Sequence, residues 1–301
     1  MMNPVNILDM IGNTPLFKLC RVNSAPVYAK GEFLNPGGSV KDRVAKYMIE
    51  QAQTRGDLHS GSVLIEATSG NTGIGVAFVG KRLGYRVIIV MPEDMSDERK
   101  KLIRALGAEV VLTPAQESLT GAVEKAEQLA AEIEGGHIIG QFVSPDNPEI
   151  HYLTTAPEIW RQMDGCVDAF VAGIGSGGTL GGVARYLKEQ NPDILAIAVE
   201  PRNSAALLGH EPGLHKIQGI GDGFIPPALD VSLIDDVVTV SDEDAIETTR
   251  RIAMREGALV GTSSGANVWA AQQVHKRLGS KKNVVTLLPD RIERYFSTAL
   301  I

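Results

Sequence analysis

VLIEATSGNTG, at residues 63–73, sets a short and mostly apolar run directly before a turn rich in glycine, serine and threonine. The run from Val63 to Ala67 is typical of a strand that is buried on both faces of a parallel sheet. The turn after it, which contains Gly70 and Gly73, is typical of the start of a helix. Together they predict one strand–turn–helix unit of an α/β protein.

The same unit recurs after this stretch. We predict further strands at residues 86–91, 110–112, 137–140, 167–172, 194–200 and 283–288, with helices between them. Strands of continuous Val, Ile and Leu that alternate with helices indicate parallel sheets covered on both faces. The pattern breaks near residues 144–148, so the sequence predicts two doubly wound α/β domains with a cleft between them.

Composition excludes several classes of protein. Of the 301 residues, 44% are hydrophobic and 22% are charged, as in an ordinary globular protein, and the net charge of −7 argues against nucleic acid as a partner. No apolar run is long enough to span a membrane, and the first residues show no signal peptide. The scattered histidines, with Cys20 and Cys166 as the only cysteines, predict no metal site and a cytoplasmic location.

The segment NPGGSVKDR, residues 35–43, contains a lysine in an unusual position. The apolar residues after it repeat at helical spacing, which predicts a helix from about Lys41 with Ser39 as its N-cap. A lysine in the first turn opposes the helix dipole, which raises the chance that its amine takes part in chemistry. A solvated surface lysine is the more common explanation of such a residue.

GIGSGGT, residues 173–179, follows a predicted strand and opens a predicted helix. Its backbone N–H groups and the helix N-terminus would bind a phosphate, with Ser176 and Thr179 as additional hydroxyl donors. The turn also fits the G-x-G-x-x-G pattern of dinucleotide binding, since Glu200 ends the next strand at the expected spacing. A phosphate group and NAD are therefore both candidate ligands of this turn.

Two further turns carry polar side chains without charge. Residues 68–73 offer hydroxyl and amide groups before a helix, which suits a bound carboxylate, although an ordinary helix cap has the same composition. GTSSG, residues 261–265, is a weaker signal, since serine and glycine are common at helix starts. Gln141 follows a predicted strand and could face the cleft, although an amide there more often bonds its own loop.

The combination of these features decides between the candidate ligands. One lysine, one phosphate-binding turn, one carboxylate-binding turn and no metal cluster describe a pyridoxal phosphate enzyme that acts on an amino acid. A lysine Schiff base needs an amine in a fixed place, and the cofactor then serves as the electron sink. An NAD enzyme would leave the Lys41 segment and residues 68–73 without a function, so we predict pyridoxal phosphate as the cofactor.

A series of motifs in fixed order carries a family resemblance. They are IGNTPL (11–16), NPGGSVKDR (35–43), EATSGNTG (66–73), MPEDMS (91–96), GIGDGFIP (219–226) and ERYFST (293–298). Through them the chain resembles the cysteine synthase (O-acetylserine sulfhydrylase) family of fold-type II pyridoxal phosphate enzymes, with cystathionine β-synthase as a near relative. The resemblance implies a tryptophan synthase β-like fold. Its smaller, movable domain would hold residues 1–12 and 35–145, and its larger, phosphate-binding domain residues 13–34 and 146–301.

The resemblance also implies a role for each candidate residue. Lys41 corresponds to the Schiff-base lysine, Asn71 to the residue that bonds the ring hydroxyl, and Ser263 to the serine at the pyridine nitrogen. The phosphate cup would be formed by Gly175, Ser176, Gly177, Gly178 and Thr179. The substrate carboxylate would be bound by Thr68, Ser69, Gly70, Thr72 and Gln141. The loop with Gly219 and Gly221 would line the substrate side.

The activity that the resemblance implies is formation of L-cysteine from O-acetyl-L-serine and sulfide through an α-aminoacrylate, with Lys41 as the base. The pair Gly37-Gly38 and the residue Ala156 look closer to bacterial enzymes that use O-acetylserine with homocysteine. An O-acetylserine-dependent cystathionine β-synthase, or a lanthionine- or sulfide-producing enzyme, is therefore the alternative. A homodimer and a complex with serine acetyltransferase are further implications.

Overall fold

The computed structural model describes residues 5–22, 26–68 and 70–301. The strands are β1 (Leu16–Leu19), β2 (Val27–Lys30), β3 (Val63–Ala67), β4 (Arg86–Pro92), β5 (Glu109–Thr113), β6 (Gly136–Ile138), β7 (Ala169–Gly173), β8 (Leu195–Pro201), β9 (Asp236–Val240) and β10 (Val284–Leu287). The helices are α1 (Lys41–Arg55), α2 (Asn71–Arg82), α3 (Asp97–Ala105), α4 (Ser118–Glu132), α5 (Asp146–Ile150), α6 (Ala156–Gln162), α7 (Gly178–Gln190), α8 (Asp242–Glu256) and α9 (Thr262–Leu278). Within the described residues, every helix is too short or too polar to cross a bilayer.

The strands form two sheets. One is four-stranded in the order β5-β4-β3-β6, and all of its neighbouring strands are parallel. The other is six-stranded in the order β1-β2-β10-β7-β8-β9, in which only the β1–β2 pair is antiparallel. The predicted α/β class with doubly wound parallel sheets is confirmed.

The apolar run of β3 is explained by the helices that cover both of its faces. Leu64 packs in a core with residues of α1 and α2, whereas Val63 and Ile65 pack on the opposite face against α4. Because both faces are covered by helices, the strand needs apolar side chains at nearly every position. The central strands of the larger sheet are buried in the same way, between α8 and α9 on one face and α6 and α7 on the other.

Strands β1 and β2 belong to the larger sheet, although they precede the smaller one in the chain. Strand β2 pairs in parallel with β10, with Tyr28 opposite Val285, and β1 continues the sheet as its edge. The structure thus places β1 and β2 in the larger sheet. The exact domain boundaries, residues 1–12 and 35–145 against residues 13–34 and 146–301, stay a prediction.

Several elements differ from the sequence-based expectation. Strands β1, β2 and β9 carry no long apolar run, because β1 and β9 are partly exposed edge strands and β2 is short and ends in the buried Lys30. The strand expected at residues 137–140 is β6, which ends earlier because Gly140 turns the chain with φ +73°. Ser39 is not the N-cap of α1, since Val40 holds that position, yet the Ser39 hydroxyl accepts a hydrogen bond from the Lys41 N–H at 3.2 Å.

Candidate active site

A cleft opens where several parallel strands end, as is usual for ligand sites in α/β sheets. It is lined by most of the residues that the sequence singled out, namely Lys41, Thr68, Gly70, Asn71, Thr72, Gln141, Gly175, Ser176, Gly177, Thr179, Gly219 and Ser263. Gly178 and Gly221 do not line it, although both adjoin residues that do. Ser69, also among the predicted residues, lies outside the described residues.

Lys41 is the first residue of α1, and its amine points at the glycine-rich turn after β7. The Lys41 Nζ donates a hydrogen bond to the Ser176 Oγ at 2.7 Å. Burial lowers the pKa of Lys41 to about 8, against the opposing influence of the Asp222 and Glu66 carboxylates. A substantial fraction of the amine is therefore uncharged near pH 8, and the uncharged amine is the form that acts as nucleophile or base.

The turn before α1 holds this lysine in place. The Gly37 N–H donates to the Asp42 carboxylate at 2.6 Å, and Gly38 takes φ +86°, a conformation that glycine adopts without strain. Burial raises the pKa of Asp42 to about 7. The two glycines of the NPGGSVKDR motif thus let the chain fold back on the first turn of the helix.

The turn after β7 contains three positions that have no room for a side chain. A Cβ at Gly175 would overlap the Gly219 carbonyl oxygen, and Gly177 takes φ +76° to start α7. A Cβ at Gly178 would overlap the buried amide of Asn147. Only glycine fits these positions, so the N–H groups at the start of α7 face the cleft as an anion-binding cradle.

Thr179, the polar end of this cradle, is held by a residue that the sequence did not indicate. The Thr179 Oγ1 lies 3.2 Å from the His151 Nε2, and the His151 Nδ1 lies 2.9 Å from the Thr155 Oγ1. Burial lowers the pKa of His151 to about 3, so the ring is neutral. His151 begins a π-helical turn, a feature often found near functional sites and invisible in the local sequence.

The turn after β3 and the turn after β6 are joined into one polar surface. The Thr72 hydroxyl donates to the Gln141 Oε1 at 2.5 Å, and the Thr68 Oγ1 accepts from the Gly70 N–H at 2.9 Å. Glu66, at the end of β3, accepts hydrogen bonds from the N–H groups of Gly140 and Gln141. The Gln141 side chain is left with its amide N–H groups as donors, which suits a carboxylate ligand.

Asn71 and Ser263 also line the cleft. The Asn71 Nδ2 donates to the Asp290 carboxylate at 2.7 Å, whereas the Asn71 Oδ1 is buried without a hydrogen-bond partner among the described residues. A buried polar atom of this kind is costly unless a ligand completes its bonding. Ser263 is buried in the first turn of α9, with its side chain at the cleft wall.

These observations fit pyridoxal phosphate. A buried amine with a lowered pKa would hold its aldehyde carbon, the cradle of α7 its phosphate, and the orphaned Asn71 oxygen its ring hydroxyl. Within the described residues, His, Cys, Asp and Glu form no cluster of three that could hold a metal ion. The individual residue roles stay predictions.

The cleft also contains Arg99, Phe142, Asp222 and Asn267, which the sequence did not single out. Arg99 lies in the first turn of α3, where a cation opposes the helix dipole as Lys41 does, so the same argument would have found it. Asp222 lies between two glycines of the GIGDGFIP motif, and this carboxylate within a glycine-rich motif is the sequence feature that could have indicated it. Asn267 ties β7 to β10, and only the fold reveals it.

Comparison with known proteins places these features in a family. Residues 7–290 match the family described as pyridoxal-phosphate dependent enzyme. A cysteine synthase of Staphylococcus aureus is 50% identical over 299 residues, which cover 98% of this chain and 96% of that protein.

Two solved structures share the fold over nearly their whole length. An O-acetylserine dependent cystathionine β-synthase from Helicobacter pylori superposes with a TM-score of 0.94 at 45% identity, covering 100% of this chain and 99% of the other. O-acetylserine sulfhydrylase isoform 3 from Entamoeba histolytica gives 0.93 at 39% identity, covering 99% and 92%. The match over nearly the whole chain decides between the two ligands that the glycine-rich turn allowed, and the chain belongs to the pyridoxal-phosphate dependent enzymes, with pyridoxal phosphate as its cofactor.

Proposed function

We propose that this protein forms L-cysteine and acetate from O-acetyl-L-serine and sulfide. The observation that carries the proposal is the 2.7 Å hydrogen bond between the Lys41 amine and the Ser176 hydroxyl. It brings the amine of a helix on the smaller sheet to the phosphate-binding turn of the larger sheet. The 50% identity to a cysteine synthase supports the choice of O-acetylserine and sulfide as substrates.

Each part of the cleft has a task in this reaction. Bound pyridoxal phosphate supplies an electron sink for the bonding electrons released at the substrate Cα. The Lys41 amine takes the α-proton and later returns it, and its lowered pKa suits both directions of transfer. The Thr72 hydroxyl orients the Gln141 side chain, whose amide N–H groups bind the substrate carboxylate and so fix the Cα–H bond near the Lys41 Nζ. The Cβ–O bond to acetate breaks, a C–S bond forms, and one sulfide proton leaves with the acetate.

Lys41→Ala tests this assignment. The variant should lose at least about a thousandfold in turnover, since it lacks the amine that moves the α-proton. The measurement is L-cysteine formed by the cofactor-loaded enzyme with O-acetylserine and sulfide. Lys46→Ala, a partly exposed lysine on the same helix, is the matched control and should keep near-normal turnover. Cysteine formation by Lys41→Ala at the rate of the control would remove Lys41 from the reaction.

A second candidate uses homocysteine as the acceptor in place of sulfide and forms cystathionine. It is favoured by the high similarity to the Helicobacter pylori enzyme, whose name states that activity. The two candidates share the donor and the proton chemistry and differ only in the attacking sulfur. The ratio of kcat/KM for sulfide and homocysteine, measured with the same O-acetylserine concentration, decides between them.

We also propose a cytoplasmic homodimer that is able to bind serine acetyltransferase. Apolar side chains near the amino terminus support the dimer, since Val5 is 71% exposed, Met10 62% and Leu34 44%. The exposed free thiols of Cys20 and Cys166 are compatible with a reducing compartment. Light scattering of the purified protein measures the dimer, and a monomer at micromolar concentration would contradict it.

A further inference from the structure

Asp222 brings a carboxylate into the same cleft as the Lys41 amine. It lies in the loop between β8 and β9, where Gly221 and Gly223 on either side take φ +74° and +85°. Its Oδ2 lies 3.8 Å from the position that a Cβ would occupy at Gly175. The carboxylate therefore faces the space between the phosphate-binding turn and the loop that lines the substrate side.

This carboxylate has no protein partner. Within the part of the chain that the structure describes, the Asp222 side chain forms neither a hydrogen bond nor an ion pair. The nearest cationic influence comes from Lys41 and, more weakly, from His215. Burial raises the pKa of Asp222, because the partly buried carboxylate has lost hydration without gaining a hydrogen-bond donor in return.

His215 is not available as the missing partner. The His215 Nε2 lies 3.0 Å from the Gly221 carbonyl oxygen, and its Nδ1 accepts a hydrogen bond from the Ile217 N–H at 3.3 Å. Both ring nitrogens are therefore engaged with the backbone, so neither is free to donate a hydrogen bond to the Asp222 carboxylate.

Glu66 is a second carboxylate near Lys41, and unlike Asp222 it is hydrogen-bonded within the protein. Its two oxygens accept hydrogen bonds from the Gly140 and Gln141 N–H groups at 2.8 and 3.4 Å. Its charge is thus used to hold the turn after β6. Asp222 holds nothing in the protein, so its charge acts on what enters the cleft.

We propose that Asp222 selects the acceptor: it binds the ammonium group of a thiol that carries one, and it disfavours an anionic acceptor. The inference rests on the proposed function, because it concerns the second substrate of the same cleft. When Lys41 is engaged with the donor, its charge no longer balances Asp222, and an acceptor ammonium replaces it. The transfer itself is unchanged: the Cβ–O bond breaks, the thiol sulfur forms the Cβ–S bond, and the thiol proton leaves with acetate.

Three small thiols of similar size and different charge test the inference. They are 2-aminoethanethiol with an ammonium group, 2-mercaptoethanol without charge, and 3-mercaptopropionate with a carboxylate. With O-acetylserine as donor, kcat/KM of the native enzyme should fall in that order, by about tenfold at each step for a partly desolvated charge. The pH is set where Asp222 is ionised and the acceptor amine is protonated.

Asp222→Asn keeps the size of the side chain and removes its charge. The ratio of kcat/KM for the cationic and neutral thiols should drop about tenfold, towards unity, in this variant. Because the ratio is taken within each protein, any change in the donor step cancels. Glu211→Gln, an exposed residue in the same loop outside the cleft, is the matched control and should keep the native ratio.

The outcomes separate the inference from the proposed function. A native enzyme that shows no preference among the three thiols, or an Asp222→Asn variant that keeps the native ratio, overturns the inference. An equal loss for all three thiols also overturns it, since that result would assign Asp222 to proton transfer or folding. Failure of the native enzyme to release acetate from O-acetylserine with sulfide would instead refute the proposed function.

Discussion

The predicted phosphate cradle depends on the absence of a Cβ atom at Gly178. Gly178 is the first residue of α7, and a Cβ there would overlap the Asn147 side chain. Asn147 is fully buried, and its Nδ2 donates to both the Gln141 carbonyl at 2.7 Å and the Ser176 hydroxyl at 2.9 Å. The amide therefore has no room to withdraw without losing these two bonds. Gly178 shapes the cradle from behind, although its own atoms do not line the cleft.

Gly178→Ala should weaken binding of pyridoxal phosphate by about tenfold or more, because overpacking costs about 1–3 kcal/mol and would shift the start of α7. The dissociation constant is measured by titrating the apoenzyme and following the visible absorbance of the bound cofactor. Gly181→Ala on the same helix is the matched control, since its Cβ would meet its nearest neighbours at ordinary contact distances of 3.6 and 3.9 Å. Equal affinity of the two variants would show that the cradle tolerates the change.

Residue types with restrictive chemistry were predictable from the sequence. Lys41 could be singled out because a cation in the first turn of a helix opposes the helix dipole. The glycines could be singled out because a glycine-rich turn before a helix is typical of a phosphate site. His151 and Asn147 could not be predicted, since their importance lies in contacts with residues far along the chain. Asp222 is an intermediate case. The sequence shows that it belongs to the GIGDGFIP motif, but only the fold shows that its carboxylate has no protein partner.

At the scale of the elements, α1 is anchored by a cluster of buried charges. The Arg43 guanidinium, two residues after Lys41, forms ion pairs of 2.7 Å with both Glu32 and Glu158. Lys30 at the end of β2 also contacts Glu158 at 2.7 Å. The Arg43 pairing lowers the pKa of Glu32 to about 2 in spite of its burial. The cluster connects the helix that carries Lys41 to strand β2 of the larger sheet and to α6.

Arg43→Met should lower the free energy of unfolding by about 3–5 kcal/mol, because it leaves two buried carboxylates with only one remaining cation. Urea denaturation of the cofactor-free protein at neutral pH measures this loss. Lys46→Ala breaks only a partly exposed pair with Glu50, so it should cost about 0.5 kcal/mol or less. A loss in Arg43→Met no larger than in this control would mean that the buried cluster does not contribute to stability.

The sequence predicted central elements better than edge elements, for a physical reason. A strand covered on both faces must be apolar throughout, whereas the edge strand β1 mixes apolar and charged residues and gives no such signal. Gly31 illustrates the limit, because nothing in the local sequence indicates why this position is a glycine. A Cβ at Gly31 would lie 2.6 Å from the Phe17 ring, so the glycine accommodates a partner on the neighbouring strand.

At the scale of the whole molecule, the two sheets are joined across the cleft by the start of α3. Arg99 is 1% exposed, its Nη1 donates to the Gln218 side chain of the opposite loop, and its guanidinium lies over the Tyr295 ring at 5.1 Å. The Ser96 hydroxyl donates to the Arg294 carbonyl at 3.1 Å. Helix α3 packs with the smaller sheet, whereas Gln218 and residues 294–295 belong to the part of the chain built around the larger one.

Arg99 is therefore placed to couple the two sides of the cleft to the turn that is predicted to bind the substrate carboxylate. Its Nε is buried without a partner among the described residues, and a Cβ at Gly70 would overlap the guanidinium. The arginine thus packs directly against the backbone of Gly70. A buried cation in that position also favours the approach of an anionic group to the turn.

Arg99→Met keeps much of the side chain's length but removes the hydrogen bond to Gln218 and the positive charge. The KM for O-acetylserine should rise about tenfold, since the carboxylate turn loses its support and the cleft closes less often. Amide hydrogen exchange in residues 70–73 should become faster in the same variant, a change that lost charge alone would not produce. Lys101→Ala, an exposed lysine on the same helix, is the control for both measurements. A raised KM with a native exchange rate would mean that Arg99 acts only through its charge. Native values of both quantities would mean that Arg99 contributes neither to substrate binding nor to closure of the cleft.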